Sequence, residues 1–278
     1  MKVNIAKTTG FCFGVKRAID TALQTSKEHK NVYMLGDIVH NETVTNKVMA
    51  EGIKKISKLS KNNGDILLIR AHGAPIKTLR DAKKFGYKIV DATCPMVKEI
   101  HKVAQKDESA GYTVIIIGDK KHDEVIGIKG NLKNSPFVID PSKKFPAKKV
   151  ESLNKISIVV QSTQNIEEVL NVVKKISSKV KNVKFNNTIC NPTTQRQKAA
   201  KDIPSKNDIV IVIGSKTSAN TKRLFEISNE INPKTYWIQK DTDIKKAWFK
   251  NAGTIGILAG ASTPEETIQR TAEKIKGF

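Results

Sequence analysis

Short apolar runs rich in β-branched residues recur along the chain. They read KVNIAK (2–7), NVYML (31–35), DILLIRA (65–71), YKIVDA (87–92) and YTVIIIG (112–118). Further on come PFVID (136–140), KISIVVQ (155–161), DIVIVIG (208–214), TYWIQ (235–239) and TIGILAG (254–260). Their apolar positions are continuous, the pattern of strands covered on both faces. Between the runs the apolar period becomes helical. Val15, Ala18, Ile19, Ala22 and Leu23 share one helical face, and Ile166, Val169, Leu170, Val173 and Ile176 share another. Pro75 opens a helical stretch that Gly86 closes. In STPEET (262–267), Thr263 stands as N-cap, Pro264 in the first turn and Glu266 at the capping-box position. Strands alternating with helices predict an α/β fold on mostly parallel sheets.

No low-complexity linker divides the chain, and the clearest punctuation is chemical. Each of the three cysteines follows a strand-like segment and precedes a helix-like one: Cys12 after KVNIAKTTGF, Cys94 after KIVDAT, Cys190 after VKFNNTI. They lie 82 and 96 residues apart, each about the length of a small α/β unit. The spacing predicts three such units, at 13–94, 95–190 and 191–265, with the terminal segments 1–12 and 266–278 completing the fold.

Ligands of open α/β sheets bind beyond the carboxyl ends of the strands. A thiol placed there also faces a helix N-terminus, whose partial positive charge favours thiolate, the form that binds metal. Three thiols in one local setting can converge on one metal centre or be buried inert side chains, and local context leaves both open. Thiolate ligands suit zinc or an iron–sulfur cluster. Structural zinc usually draws on close pairs such as C-x-x-C, and there is none here.

Composition narrows the classes. With 38% hydrophobic and 27% charged residues, the chain has the make-up of a soluble globular protein. No apolar run reaches the roughly 18 residues of a membrane span, and the N-terminus lacks a signal-peptide pattern, so no membrane association and a cytoplasmic location are expected. The formal charge of +22 raises nucleic-acid binding as one reading and attraction of anionic small molecules as another. The lysines are spread along the whole chain, aromatic residues make up only 5%, and no nucleic-acid-binding motif is present, so the second reading is preferred.

His40, His72 and His122 each follow a strand-like run and are candidate donors to an anion such as phosphate; surface histidines are the alternative. His29 and His101 fall in helical stretches and are expected to be solvated. Glu124 is the best-placed carboxylate for proton transfer, against simple surface charge. Hydroxyl-rich segments at other strand ends carry Ser162 and Thr163, then Ser215, Ser218 and Asn220, then Ser262. Donors at helix N-termini make anion sites, although each alone also serves as a plain N-cap. The glycine turns VIIIGDKK and IVIGSKT lack the G-x-G-x-x-G spacing of a dinucleotide site.

The segments GFCFGVKRAI, VHNETV, RAHGAP, DATCPMV, GDKKHDEVIG, QSTQ, CNPTTQRQ, GSKTSANTKRL and AGASTPE run from residue 10 to residue 265. Together, and in this order, they resemble the 4-hydroxy-3-methylbut-2-enyl diphosphate reductase family. The resemblance implies three α/β units in pseudo-threefold arrangement around one [4Fe–4S] cluster, with Cys12, Cys94 and Cys190 as its three ligands. It implies Glu124, acting with Ser162, as the acid of a proton relay, and His40, His72, His122, Ser218, Asn220 and Ser262 as residues around the substrate diphosphate. It implies a ferredoxin or flavodoxin-like electron donor. The family commonly carries threonine where Ser162 stands and a second serine where Ala219 stands. The competing readings are a zinc-dependent enzyme and a nucleic-acid-binding protein.

Overall fold

The computed structural model describes residues 1–278. In chain order the elements are β1 (Lys2–Ile5), α1 (Phe13–Glu28), β2 (Val32–Leu35), α2 (Glu42–Ala50), β3 (Ile53–Ile56), β4 (Ile66–Ile69), α3 (Ile76–Lys84), β5 (Lys88–Asp91) and α4 (Pro95–Ser109). There follow β6 (Thr113–Ile117), α5 (Asp123–Gly130), β7 (Phe137–Ile139), α6 (Ala147–Glu151), β8 (Lys155–Val160), α7 (Ile166–Ser177), β9 (Asn182–Phe185) and α8 (Asn191–Asp202). The last are β10 (Ile209–Ile213), α9 (Ala219–Ile231), β11 (Thr235–Ile238), β12 (Thr254–Ala259) and α10 (Glu265–Lys276). The twelve strands form three four-stranded sheets, and every strand pairing is parallel. The protein is thus an α/β fold of three units.

All three sheets have the same strand order. The first two read β3-β2-β4-β5 and β7-β6-β8-β9, and the third read from its other edge is β11-β10-β12-β1. Numbered within a unit, each is 2-1-3-4, and in the third unit the N-terminal strand fills the fourth place. Compactness divides the chain differently, into two bodies. One holds Met1–Lys16, Val39–Lys47 and Asn191–Phe278; the other holds Arg17–Ile38 and Val48–Cys190.

The continuous apolar runs are explained by burial on both sheet faces. In the second body, Ile115, Ile117, Ile156 and Ile158 pack on one face of their sheet beside Val169 and Ile176 of α7. Val114, Ile116 and Val159 pack on the other, beside Ile100 and Ala104 of α4. In the first body, Ile209, Ile211, Ile255 and Ile257 face Ile268 and Ile275 of α10. Val210, Val212 and Leu258 face Ala200, Leu224 and Ile227 of α8 and α9. Burying each such side chain stabilises by about 1.5–3 kcal/mol, so strands in this position carry no polar alternation.

Some local expectations are corrected. Strand β3, sequence IKKI, shows no continuous run; it is an edge strand with Lys54 and Lys55 exposed, and such charges discourage edge pairing. Leu170, expected on the core face of α7, is 49% exposed, and Val172 takes its place in the core. Thr263 is not the N-cap of α10. Pro264 holds that position, and the Thr263 hydroxyl donates to the Ile213 carbonyl at 3.0 Å.

Candidate active site

The three cysteines have one backbone setting. Cys94 N–H donates to the Ala71 carbonyl at 3.0 Å, Cys190 N–H to Ser162 at 3.1 Å, and Cys12 N–H to Ala261 at 3.1 Å. Each acceptor lies two residues beyond the end of its unit's third strand, β4, β8 or β12. The bonds continue the ladder between strands 4 and 3. Ala92 N–H bonds to Ile69 one rung before Cys94, and Ala6 N–H to Ile257 on the Cys12 side. Before Cys190, Asn186 N–H bonds to Ile158, and the Thr188 hydroxyl fills the next rung, donating to Val160 C=O at 2.6 Å and accepting from its N–H at 2.7 Å. Helices α4, α8 and α1 begin at the residue after each cysteine. None of the three forms a disulfide, and all are half-buried. Soft thiols held at helix N-termini are a donor set that fits an iron–sulfur cluster.

The other candidate residues follow strands 1 and 3 of each unit: His40 and His72 in the first, Glu124 and Ser162 in the second, Ser218 and Ser262 in the third. In the body containing Val48–Cys190, Glu124 and Ser162 meet. The Glu124 carboxylate is buried, 2% exposed; Oε1 accepts from Ser162 N–H at 2.6 Å and Oε2 from its hydroxyl at 2.7 Å. The same Ser162 peptide accepts from Cys190, so one residue ties the carboxylate to a thiol-bearing loop. His72 and His122 also meet, with ring centroids 5.5 Å apart in an edge-to-face arrangement. His122 is the N-cap of α5, and its Nδ1 accepts from Glu124 N–H at 3.1 Å. A neutral ring accepting on Nδ1 carries its proton on Nε2.

In the body containing Asn191–Phe278, Arg196 of α8 donates from Nη2 to the Gly10 carbonyl at 2.8 Å, which fixes the loop before Cys12. Gly10 has φ +73, a conformation that favours glycine. Ser218 caps α9, its hydroxyl accepting from Thr221 N–H at 3.3 Å. Asn220 is buried, and its Nδ2 has no protein partner. The Ser262 hydroxyl donates to the His40 carbonyl at 3.3 Å, and Asn41 Nδ2 donates to the Ser262 carbonyl at 2.7 Å. Ser215 serves its own turn, with its hydroxyl 2.9 Å from that of Thr217.

The structure changes or extends the sequence reading at several residues. His101 is not solvated. Its ring lies against the Gly73 turn, its Nε2 is buried without a partner, and burial pushes its pKa down to about 4 despite the opposing charge of Asp91. The signal was present, since His101 falls on the same helical stripe as Val97, Ile100 and Ala104. Thr163 holds the place in its unit that His72 and Ser262 hold in theirs, one residue past the ladder acceptor. Arg70, Asp123 and Asn131, which join the His72 turn to α5, had no signature in the sequence.

A parallel three-sheet α/β protein with one cysteine at the same strand-to-helix junction of each unit defines the class. The chain belongs to the LytB protein family, whose model matches residues 3–276. It is 38% identical to 4-hydroxy-3-methylbut-2-enyl diphosphate reductase of Geotalea uraniireducens, over 99% of this chain and 97% of that protein. It is 39% identical to the reductase of the same name from Aquifex aeolicus, over 98% and 95%. Among solved structures, it resembles (E)-4-hydroxy-3-methyl-but-2-enyl diphosphate reductase, the terminal enzyme of the non-mevalonate pathway, with a TM-score of 0.73 and 38% identity over 100% of both chains. The Plasmodium falciparum E-1-hydroxy-2-methyl-but-2-enyl-4-diphosphate reductase gives a TM-score of 0.89 and 32% identity, over 98% of this chain and 87% of that one.

Proposed function

We propose that the protein is a 4-hydroxy-3-methylbut-2-enyl diphosphate reductase acting at the last step of the non-mevalonate, methylerythritol phosphate route to isoprenoids. The observation that carries this reading is the family match over residues 3–276, joined by relatives at 38–39% identity that bear this name. The reaction consumes two electrons and two protons. The allylic C–O bond breaks, the oxygen leaves as water, and a C–H bond forms at either end of the allylic system. The products are isopentenyl and dimethylallyl diphosphate.

Cys12, Cys94 and Cys190 are the proposed ligands of a [4Fe–4S] cluster; the like setting of the three thiols supports this. Such a cluster supplies electrons one at a time and a Lewis-acid iron. A ferredoxin or flavodoxin-like protein is the proposed donor.

The chain's own groups bind the substrate and move a proton. His122, with its proton on Nε2, and the buried amide Nδ2 of Asn220 are donors for anionic oxygen; His40, His72, Ser218 and Ser262 complete the proposed diphosphate set. Glu124 is the proposed acid. Its contact with the Ser162 hydroxyl supports a relay in which Glu124, once protonated from solvent, gives its proton to Ser162 as Ser162 passes its own to the departing oxygen. Serine in place of the family's threonine keeps that hydroxyl and lacks the methyl that restricts its rotation.

The test is Glu124→Gln, purified without oxygen. The variant should keep the visible absorbance and iron content of wild type and lose most turnover with a chemical reductant. Near-wild-type activity assigns the acid elsewhere, and colourless wild-type protein containing zinc overturns the cluster.

A further inference from the structure

Helix α5 is eight residues long and carries His122 as its N-cap and Glu124 in its first turn. A helix so short is not stable by itself, so whatever holds it also fixes those two groups. Both of its ends are fastened to one turn, Arg70 to Pro75, which carries His72 between β4 and α3. At the start of the helix, Arg70 Nη1 and Nη2 each donate to one oxygen of Asp123 at 2.8 Å. The planar fork of such a pair fixes direction as well as distance, and a carboxylate at a helix N-terminus is favourable in its own right. At the other end, Asn131 caps the helix and donates from Nδ2 to the Ala74 carbonyl at 2.9 Å and the Gly127 carbonyl at 2.8 Å. Gln105 of α4, the helix that starts after Cys94, donates to the Asn131 carbonyl at 2.9 Å.

Two glycines allow the close approach. A Cβ on Gly127 would stand 3.3 Å from the His72 carbonyl oxygen, and one on Gly130 would stand 2.4 Å from Pro75 Cβ. The turn and the helix follow strands of different sheets, β4 and β6. The Arg70–Asp123 pair and the Asn131 bonds are directional, whereas apolar packing between the turn and the helix is not.

We propose that Arg70, Asp123 and Asn131 are positioning residues that clamp α5 to the His72 turn, holding His72 in register with His122 and Glu124. The proposal rests on the roles given to those three residues under Proposed function. The clamp residues touch neither substrate nor reacting atoms in that scheme; they act through the groups they hold.

The test compares anaerobically purified wild type with Arg70→Gln, Asp123→Asn, their double variant, Arg70→Lys and Asn131→Ala. The clamp predicts about a 10- to 100-fold loss of kcat/KM in Arg70→Gln and in Asp123→Asn, since a displacement near 1 Å can cost that much. Iron content should stay at the wild-type value. The double variant should be no worse than the poorer single one, because both remove the same link. Arg70→Lys, which keeps the charge and loses the fork, should recover part of the loss. The imidazole nitrogen resonances of His72 and His122 should shift in Arg70→Gln, Asp123→Asn and Asn131→Ala, while that of exposed His29 does not. Unmoved His72 and His122 resonances with wild-type kcat/KM overturn the proposal, even where the melting temperature falls. Wild-type protein without reductase activity overturns the functional reading instead, and the imidazole resonances still decide the clamp.

Discussion

Acidification should weaken this fold in a window set by one histidine. The ring of His101 packs where Cε1 would stand 3.1 Å from a Cβ on Gly73, and its Nε2 would stand 3.6 Å from one on Gly127. It thus lies between α4, the His72 turn and α5, in a place where a charged imidazole loses water and gains no partner. Its pKa falls from 6.5 to about 4 for that reason, with Asp91 offsetting only part of the burial. The sign follows from linkage. Between these values the unfolded chain binds a proton at His101 and the folded chain does not, so acid favours unfolding. Above pH 6.5 neither state is protonated and the residue exacts no penalty; below pH 4 both are, and the penalty is complete. The full depression corresponds to about 3 kcal/mol, a large part of a typical 5–15 kcal/mol stability. The carboxylates act in a lower window. Asp107 and Asp91, although burial pushes them up, are held below their usual value by hydrogen bonds, and they lose stabilisation only as pH falls below about 4. The assay is anaerobic urea unfolding of wild type and His101→Gln at a series of pH values from 7 to 4, followed by far-ultraviolet circular dichroism. The wild-type midpoint should fall across pH 6.5 to 4, and the variant should fall less, by about one proton's worth of slope. Equal slopes in the two proteins would refute the assignment, as would an imidazole resonance of His101 titrating near pH 6.5.

Asp107→Ala should destabilise by about 3 kcal/mol, read as a lower melting temperature, because it removes a buried carboxylate that accepts from Ser157, Asn186 and Lys184. Asn186 also begins the ladder toward Cys190, so exchange of amide hydrogens in 186–190 should quicken in that variant. Cys190→Ser should keep the far-ultraviolet spectrum, since the backbone rung to Ser162 needs no sulfur, and should lose iron and visible absorbance; full iron content would remove Cys190 from the ligand set. Asn220→Ala should raise KM for the diphosphate substrate by roughly 10- to 100-fold with the secondary structure intact, the value of a hydrogen bond to a charged group. An unchanged KM would mean that its buried amide does not meet the substrate.

The fold was legible where burial is simple. Runs such as VIIIG and IVIVIG have no polar alternation because α helices cover both faces of β6 and β10, and that fact alone writes strand and parallel sheet into the sequence. Some edge strands are harder to read. The half-exposed IKKI of β3 carries its lysines for protection of the edge, which erases the apolar run. NVKF of β9 was recognisable as strand-like only because Cys190 follows it. Leu170 sits at a helical spacing from Ile166 and Val173, yet the stripe turns toward Val172, a shift that no short window reports. The candidate site divides in the same way. His72, His122 and Glu124 are visible as residues just past strands, but the contact of Glu124 with Ser162 spans 38 positions and exists because β6 and β8 are neighbours. Arg70 and Asp123 are ordinary surface charges in the sequence, and only the landing of α5 on the His72 turn makes them a pair.

Strand order explains why the cysteines, and not other residues, mark the repeat. In a 2-1-3-4 sheet the fourth strand has one neighbour, the third, while the second strand neighbours only the first. A residue leaving strand 4 can therefore continue a ladder with the residues leaving strand 3 and with no others. Each cysteine uses that last rung, to Ala71, Ser162 or Ala261, before its helix begins. The rung binds the thiol-bearing backbone to the loop that supplies His72, Thr163 or Ser262 one residue later. Within a unit, a thiol and a polar side chain are thus fixed to each other by main-chain hydrogen bonds, which do not depend on the identity of the side chains. Chemistry can then vary between units at the polar position, as histidine, threonine and serine, while the position of the sulfur is set by the sheet.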